Sequence, residues 1–350
     1  MKSLGRILTA MITPFDEHGE IDVAEAGRIA RFLVDRGNDG VIVAGSTGEG
    51  TALDDDEKLA LFAGVKKAVG SGATVVAGTG DNNTRHSVDL TKRAEACGVD
   101  AILATVPAYN KPTQDGMIAH FGAIAEATSL PIVLYNIPGR TAANMLPATF
   151  HELTRRHANI VGIKESTGDV NQFTAILRDR VREDVTFWCG DDYMYLPSLA
   201  LGGHGVISVV GHLCSRELRA MSDAFDAGDV ETAAKIHADP DATSRGLEGP
   251  CEPQLLLGGS ESGEEHVRPA RTDRSGDRRA LVVRKVAVAR AGDRDPGMAP
   301  PQRLRRALRG VAAAAEQIET QVAVRRRTRG ERVDQLDARD AFAQRTAPHP

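Results

Sequence analysis

Cysteine is scarce in this chain. Cys97, Cys189, Cys214 and Cys251 are spread over 350 residues with no C-x-x-C pair, which argues against a zinc site or a disulfide framework and points to a reducing, cytoplasmic setting. Long apolar runs are also missing. The amino-terminal MKSLGRILTAMITPF has no stretch suited to a signal peptide, and no window approaches the roughly 20 apolar residues of a membrane span. A soluble protein is expected. None of the ten histidines shows a metal spacing such as H-E-x-x-H, and no carboxylate cluster suggests magnesium. Metal-free chemistry with no cofactor is the expectation. The net charge of −5 gives no general reason for nucleic acid or an anionic membrane as partner, so small molecules are left.

Aromatic residues are few and unevenly placed. Thirteen of the 14 lie in the first 240 residues, where 22 basic side chains face 32 acidic ones. Residues 241–350 hold only Phe342, with 20 arginines, one lysine and 16 acids. The break near residue 239 predicts a folded part over 1–238 and an atypical Arg/Gly/Ala/Pro-rich tail over 239–350. That tail lacks the bulky residues that offset ordering entropy, although residues 303–324 have good helix propensity. Its composition follows GC-rich codons, which suggests a reading-frame change near codon 239. An arginine-rich arm for RNA or an acidic partner is the alternative, weakened by the interspersed acids and the lack of stacking aromatics.

What is present is a rhythm. Short β-branched runs recur at residues 7–12, 40–45, 74–79, 101–106, 131–137, 159–164, 185–190 and 205–210. Most are apolar continuously instead of alternately, as in a parallel sheet buried on both faces. The segments between them keep a helical period; Ala26, Ile29, Ala30, Leu33 and Val34 form one face, and Gly37 is placed to stop that helix. Eight strand–helix units predict a (β/α)8 TIM barrel, with a doubly wound open sheet as the competitor.

A barrel of this kind carries its active site at the carboxyl ends of its strands. That rule selects Gly45–Gly50 (GSTGEG), Val106–Pro112 (VPAYNKP), Tyr135–Thr141 (YNIPGRT) and Lys164, which ends the apolar run NIVGIK. Lysine is sparse here, with eight in the first 240 residues. An amine partly shielded from water loses some preference for its charged form and becomes a nucleophile toward a carbonyl; the alternative is a lysine that merely snorkels out of the barrel mouth. GSTGEG lacks the Lys-Ser or Lys-Thr of a P-loop, and Glu49 would repel a phosphate, so a carboxylate held by Thr47 and loop amides fits better; a plain tight turn at Gly45 and Gly48 is the bland alternative. Tyr135 and Tyr109 could relay protons or merely pack, and Arg140 could fork a carboxylate or form a surface ion pair. His204 and His212, flanking the last strand, read as structural.

The motifs GSTGE, P-x-YNKP-x-Q-x-G, YNIPGRT, GIKESTGD and GGHGVISV occur in this order. Together they resemble the dihydrodipicolinate synthase (4-hydroxy-tetrahydrodipicolinate synthase) family of pyruvate-dependent class I aldolases, over about Gly5 to Asp239. The resemblance implies that Lys164 forms an imine with pyruvate and that the derived enamine attacks L-aspartate 4-semialdehyde, in lysine and diaminopimelate biosynthesis. It implies Tyr135 as proton donor and acceptor, linked through Ser46 to Tyr109 from a neighbouring subunit of a dimer or tetramer. Thr47 and the backbone of Ile207 would hold pyruvate, and Arg140 would meet the semialdehyde carboxylate. GSTGE also occurs in sialic acid lyases, so that activity or a 2-keto-3-deoxy sugar acid aldolase or dehydratase remains a competing reading, although those lyases lack this arginine. Relatives inhibited by lysine carry an acid at the position of His86 and an aromatic at that of Ala108, so the resemblance argues against such feedback. The tail departs from the family, whose members continue into a compact helical carboxyl-terminal domain.

Overall fold

The structure, a computed structural model, describes residues 3–16 and 18–238. The expectations for residues 239–350 lie outside the described residues. Eight parallel strands alternate with helices: β1 (Ile7–Ala10), α1 (Val23–Asp35), β2 (Gly40–Val43), α2 (Asp55–Val69), β3 (Thr74–Gly78), α3 (Thr84–Ala96), β4 (Ala101–Thr105), α4 (Gln114–Ala125) and β5 (Ile132–Asn136). The chain continues through α5 (Pro138–Thr141), α6 (Pro147–Arg156), β6 (Ile160–Glu165), α7 (Val170–Arg178), β7 (Thr186–Cys189), α8 (Tyr195–Ala200), β8 (Gly205–Ser208), α9 (Gly211–Asp226) and α10 (Val230–Ala238). The sheet closes in sequence order, with β8 pairing β1 through Ile7↔Val206 and Leu8↔Ile207. Closure excludes the open doubly wound sheet.

The continuous apolar runs follow from two cores. Leu8, Ile42, Val76, Leu103, Val133 and Ile207 fill the barrel interior. Their strand neighbours Ile7, Val41, Val43, Val75, Ile102 and Ile132 face the helices and pack with residues such as Ile29, Phe62 and Phe121. Since successive side chains of a strand point to opposite faces, burial on both faces demands apolar residues at nearly every position. The strands are one or two residues shorter than the apolar runs at their carboxyl ends, except β6, which extends through Glu165. There the chain turns out of the sheet to build the rim.

Helix starts are set by short polar side chains. Asp22, Asp54, Asn83, Thr113 and Asp169 each accept a backbone N–H of the first turn, and Asp54 with Glu57 completes a capping box. In α1, Ala26, Ile29, Ala30 and Leu33 are buried and Val34 is half-buried. That helix ends at Arg36, followed by Gly37 at φ +99°, a conformation open to glycine without a Cβ penalty.

One glycine inside the barrel fixes its packing. A Cβ on Gly162 would lie 2.3 Å from the Thr186 carbonyl oxygen and 2.7 Å from Cζ3 of Trp188. The bare Cα therefore makes room for the indole, whose Nε1–H donates to the Gly5 carbonyl at 3.0 Å. Gly162→Ala is expected to lower stability by about 1–3 kcal/mol through overpacking. Urea unfolding followed by circular dichroism should show the midpoint falling; an unchanged midpoint would mean that the indole does not need this space.

Candidate active site

The carboxyl end of the β5–β6–β7 strip sets the site. Tyr135 pairs with Lys164, and Lys164 with Trp188. Neighbouring residues of a parallel sheet in register point to the same face, and Tyr135 and Trp188 belong to the interior core. Lys164 is only 4% exposed, with its amine 4.3 Å from the centroid of the Tyr135 ring. Burial pulls the Lys164 pKa down to about 8, against the opposing charges of Asp192 and Asp191, while Arg140 adds to the lowering. Burial likewise pushes the Tyr135 phenol up to about 12, opposed by the Ser166 hydroxyl, Arg140 and the Ser46 hydroxyl. A partly neutral amine therefore lies beside a phenol that keeps its proton.

The residues on the opposite face of the same pair hold it in place. Asn136 pairs with Glu165, and Asn136 Nδ2 donates to the Glu165 carboxylate at 3.0 and 3.3 Å. Glu165 also accepts from the Thr167 N–H at 2.9 Å and from Gln172 Nε2 at 3.2 Å. Asn136 Oδ1 accepts from the Met145 N–H at 2.9 Å, which ties in the segment leading to α6. Glu165 is fully buried, and burial raises its pKa to about 7 against the pull of these donors.

The loop after β2 carries Ser46, which is exposed, and Thr47, which is half-buried. Its glycines serve close backbone approach at Gly48, where a Cβ would meet the Met11 carbonyl at 2.7 Å, and at Gly50, where it would meet the Ala44 carbonyl at 2.0 Å. At Gly45 the nearest atom would be 3.4 Å away, so of the two turn glycines expected from sequence only Gly48 is under this constraint. Thr13 fixes the loop by donating its hydroxyl to the Gly48 carbonyl at 2.6 Å. Ile207 lies fully buried in β8. Beside it, Asp192 accepts the Ser208 hydroxyl and the N–H groups of Val209 and Val210 at 3.0 and 3.1 Å.

Arg140 stands exposed on α5, near enough for its charge to act on both Lys164 and Tyr135. Tyr109 differs. It is 89% exposed and has φ +71°, and its N–H donates to the Thr141 carbonyl at 3.2 Å. The fold thus gathers Lys164, Tyr135, Ser46 and Arg140, while the Tyr109 ring stays in solvent. Sequence reasoning missed Ser166, Glu165, Asp191 and Asp192. The two aspartates follow β7 directly, where the same carboxyl-end rule could have found them. His212 is structural as expected: its Nδ1–H donates to the Val209 carbonyl at 2.8 Å and Nε2 accepts the Ile12 N–H at 3.2 Å. A surface cavity of about 380 Å³ lined by Arg6, Arg180, Glu183, His204 and Asp226 lies at the amino-terminal ends of β7 and β8, the opposite end of the barrel from this chemistry.

A desolvated lysine at the carboxyl rim of a (β/α)8 barrel, packed on a tyrosine ring, is suited to form a Schiff base with a carbonyl substrate, and the comparisons with known proteins make the chain a lyase of the class I aldolase type. The model of the Dihydrodipicolinate synthetase family matches residues 3–241, and the chain belongs to that family. It is 52% identical over 233 residues to the 4-hydroxy-tetrahydrodipicolinate synthase of Moorella thermoacetica, covering 67% of this chain and 79% of that protein. It is also similar to the crystal structure of a dihydrodipicolinate synthase from Bacillus anthracis, with TM-score 0.68 and 37% identity over 82% of this chain and 98% of that one. A prophage protein of the dihydrodipicolinic acid synthase family from E. coli K12, solved in complex with pyruvate, matches with TM-score 0.65 and 29% identity over 67% and 79% of the two chains.

The lowered pKa of Lys164 gives a pH dependence. At pH 7 roughly one amine in ten is neutral, against a few in ten thousand for an ordinary lysine. The rate of covalent capture of a keto acid should therefore rise about tenfold per pH unit below 8 and level off above it. Rapid-quench borohydride trapping across pH 6–10 measures this; a rate still climbing at pH 10 would contradict it.

Proposed function

We propose that this protein condenses pyruvate with L-aspartate 4-semialdehyde, the 4-hydroxy-tetrahydrodipicolinate synthase reaction of the diaminopimelate route to lysine. The single observation that carries the chemistry is the buried Lys164 amine against the Tyr135 ring. The neutral amine attacks the pyruvate carbonyl, and the carbinolamine loses water to give an imine. Loss of a methyl proton gives the enamine, which forms a carbon–carbon bond to the aldehyde. The amine of the second substrate then attacks the imine carbon, closes the ring and releases Lys164.

In this reading Tyr135 donates and accepts the protons, as suits a phenol held protonated by burial. Thr47 and the backbone of Ile207 hold the pyruvate carboxylate, and Arg140 forks the carboxylate of the semialdehyde. Arg140 also favours the synthase over cleavage of sialic acid or a 2-keto-3-deoxy sugar acid. Ser46 links Tyr135 to Tyr109 of a neighbouring subunit in a dimer or tetramer, acting in the cytoplasm. The exposure and positive φ of Tyr109 support that placement, because a strained, solvent-facing tyrosine has no stabilising role within its own barrel. The family match ends at residue 241, two residues past the composition break, which supports the reading of the tail as the product of a frame change.

Incubation with pyruvate and borohydride should leave a reduced adduct on Lys164, seen by peptide mass spectrometry, and Lys164→Ala should abolish it together with condensation. An adduct elsewhere would contradict the proposal. Cleavage of a keto sugar acid faster than condensation of the semialdehyde would instead favour the rival activity. Subunit sharing has its own test. Tyr109→Phe and Lys164→Ala proteins, each weak or inactive alone, should recover up to about a quarter of wild-type activity when unfolded and refolded together. That fraction follows from random pairing in which half the dimers are mixed and one of their two sites is intact. Activity no greater than that of the separate proteins would show that Tyr109 is not supplied by the partner.

A further inference from the structure

Asn136, Glu165 and Gln114 belong to the motifs YNIPGRT, GIKESTGD and P-x-YNKP-x-Q-x-G, yet none has a part in the chemistry above. Asn136 and Glu165 are fully buried, where every polar group needs a partner. The partners bear on one stretch of chain. Asn136 Nδ2 donates to Asn144 Oδ1 at 2.8 Å, and Asn136 Oδ1 accepts the Met145 N–H at 2.9 Å, so one side chain ties together the two ends of residues 137–144. Glu165 decides which way that amide faces. Its oxygens accept from Asn136 Nδ2, the Thr167 N–H and Gln172 Nε2, and a carboxylate offers no donor, so Nδ2 turns to it and Oδ1 to Met145. Asn144 is held twice more. Its side chain forms a reciprocal amide pair with Gln172 at 2.9 and 3.1 Å, and its carbonyl accepts from Gln114 Nε2 at 2.9 Å. Gln114 Oε1 in turn accepts the Leu146 N–H at 3.1 Å.

The stretch so closed carries Arg140. That residue stands exposed on four-residue α5, whose amino end has no side-chain cap and whose carboxyl end runs into Ala142 at φ +57°. One turn of helix has little stability of its own. Its backbone therefore takes its position from the tied ends of the segment. We propose that Asn144, clasped by Asn136, Gln172 and Gln114, is a positioning residue for the second substrate, because the clasp holds Arg140 where its guanidinium meets the substrate carboxylate. The inference rests on the reading of Arg140 given above. Asn144 touches neither substrate, and the pyruvate half of the reaction, which runs on Lys164 and Tyr135, does not draw on it.

Asn144→Ala opens the loop end of the clasp and leaves Asn136 on Glu165, so it separates the two halves of the reaction. It is expected to lower kcat/KM for L-aspartate 4-semialdehyde about tenfold. Exchange of the pyruvate methyl protons in D2O, followed by NMR without the aldehyde, should stay within about twofold of wild type. Gln114→Ala, which loosens the same stretch from its half-buried side, should show the same split with a smaller fall, and it tests the clasp even where Asn144→Ala does not fold. The loss has to act through Arg140. Adding Asn144→Ala to Arg140→Ala should therefore lower kcat/KM for the aldehyde by no more than about twofold beyond Arg140→Ala alone. Wild-type kcat/KM for the aldehyde in both amide variants would overturn the proposal, as would full additivity with Arg140→Ala or an equal loss of methyl exchange. An Arg140→Ala protein with wild-type kcat/KM for the aldehyde would instead overturn the reading of Arg140 itself.

Discussion

The register of β5 against β6 is the constraint on which the site depends. One pairing, Tyr135 with Lys164, places phenol and amine together inside the barrel, and the next, Asn136 with Glu165, places amide and carboxylate together outside it. The inner pair is reactive because it is dry; the outer pair is stable because it is hydrogen-bonded, with Glu165 accepting from Asn136, Thr167 and Gln172. A slip of one residue would exchange the faces. It would place a lysine among the helices and a glutamate in the barrel mouth, each a buried charge without its partners. The buried carboxylate therefore opposes the wrong register as well as supporting the right one.

Packing and chemistry meet in the layer that holds Lys164. Trp188, its neighbour on β7, fills the barrel beneath the rim because Gly162 leaves space for the indole. That filling excludes water from below, and Tyr135 excludes it from the side. The resulting loss of hydration is the largest influence on the amine, outweighing the attraction of Asp191 and Asp192. The two aspartates have separate places around it. Asp192 is spent on the loop after β8, accepting from Ser208, Val209 and Val210, whereas the half-buried Asp191 has its pKa raised by burial against the charges of Lys164 and Arg140.

The barrel was legible because strands buried on both faces read as unbroken apolar runs, and eight such runs correspond to the eight observed strands. Their ends were overcounted because residues such as Ala44, Val106 and Ile137 are apolar yet belong to the turns after the strands. Lys164 and Tyr135 were legible because a lone amine or phenol ending an apolar strand is conspicuous. Glu165, Ser166, Asp191 and Asp192 were not, because common polar residues in a loop acquire meaning only through neighbours distant in sequence. Short α5, which carries Arg140, also escaped notice, since four residues hold no period to detect. Tyr109 was named for a role that needs a second chain, and its exposure in a single chain is a property no pattern in the sequence reveals.

The central claim is that burial, with a smaller contribution from Arg140, keeps a reactive fraction of the Lys164 amine neutral near neutral pH. Lysine labelled with carbon-13 at Cε, assigned through loss of one resonance in Lys164→Arg, allows its titration to be followed directly by NMR in the absence of any substrate. A midpoint near 8 is what the structure requires. A midpoint for Lys164 indistinguishable from those of the exposed lysines would contradict the account.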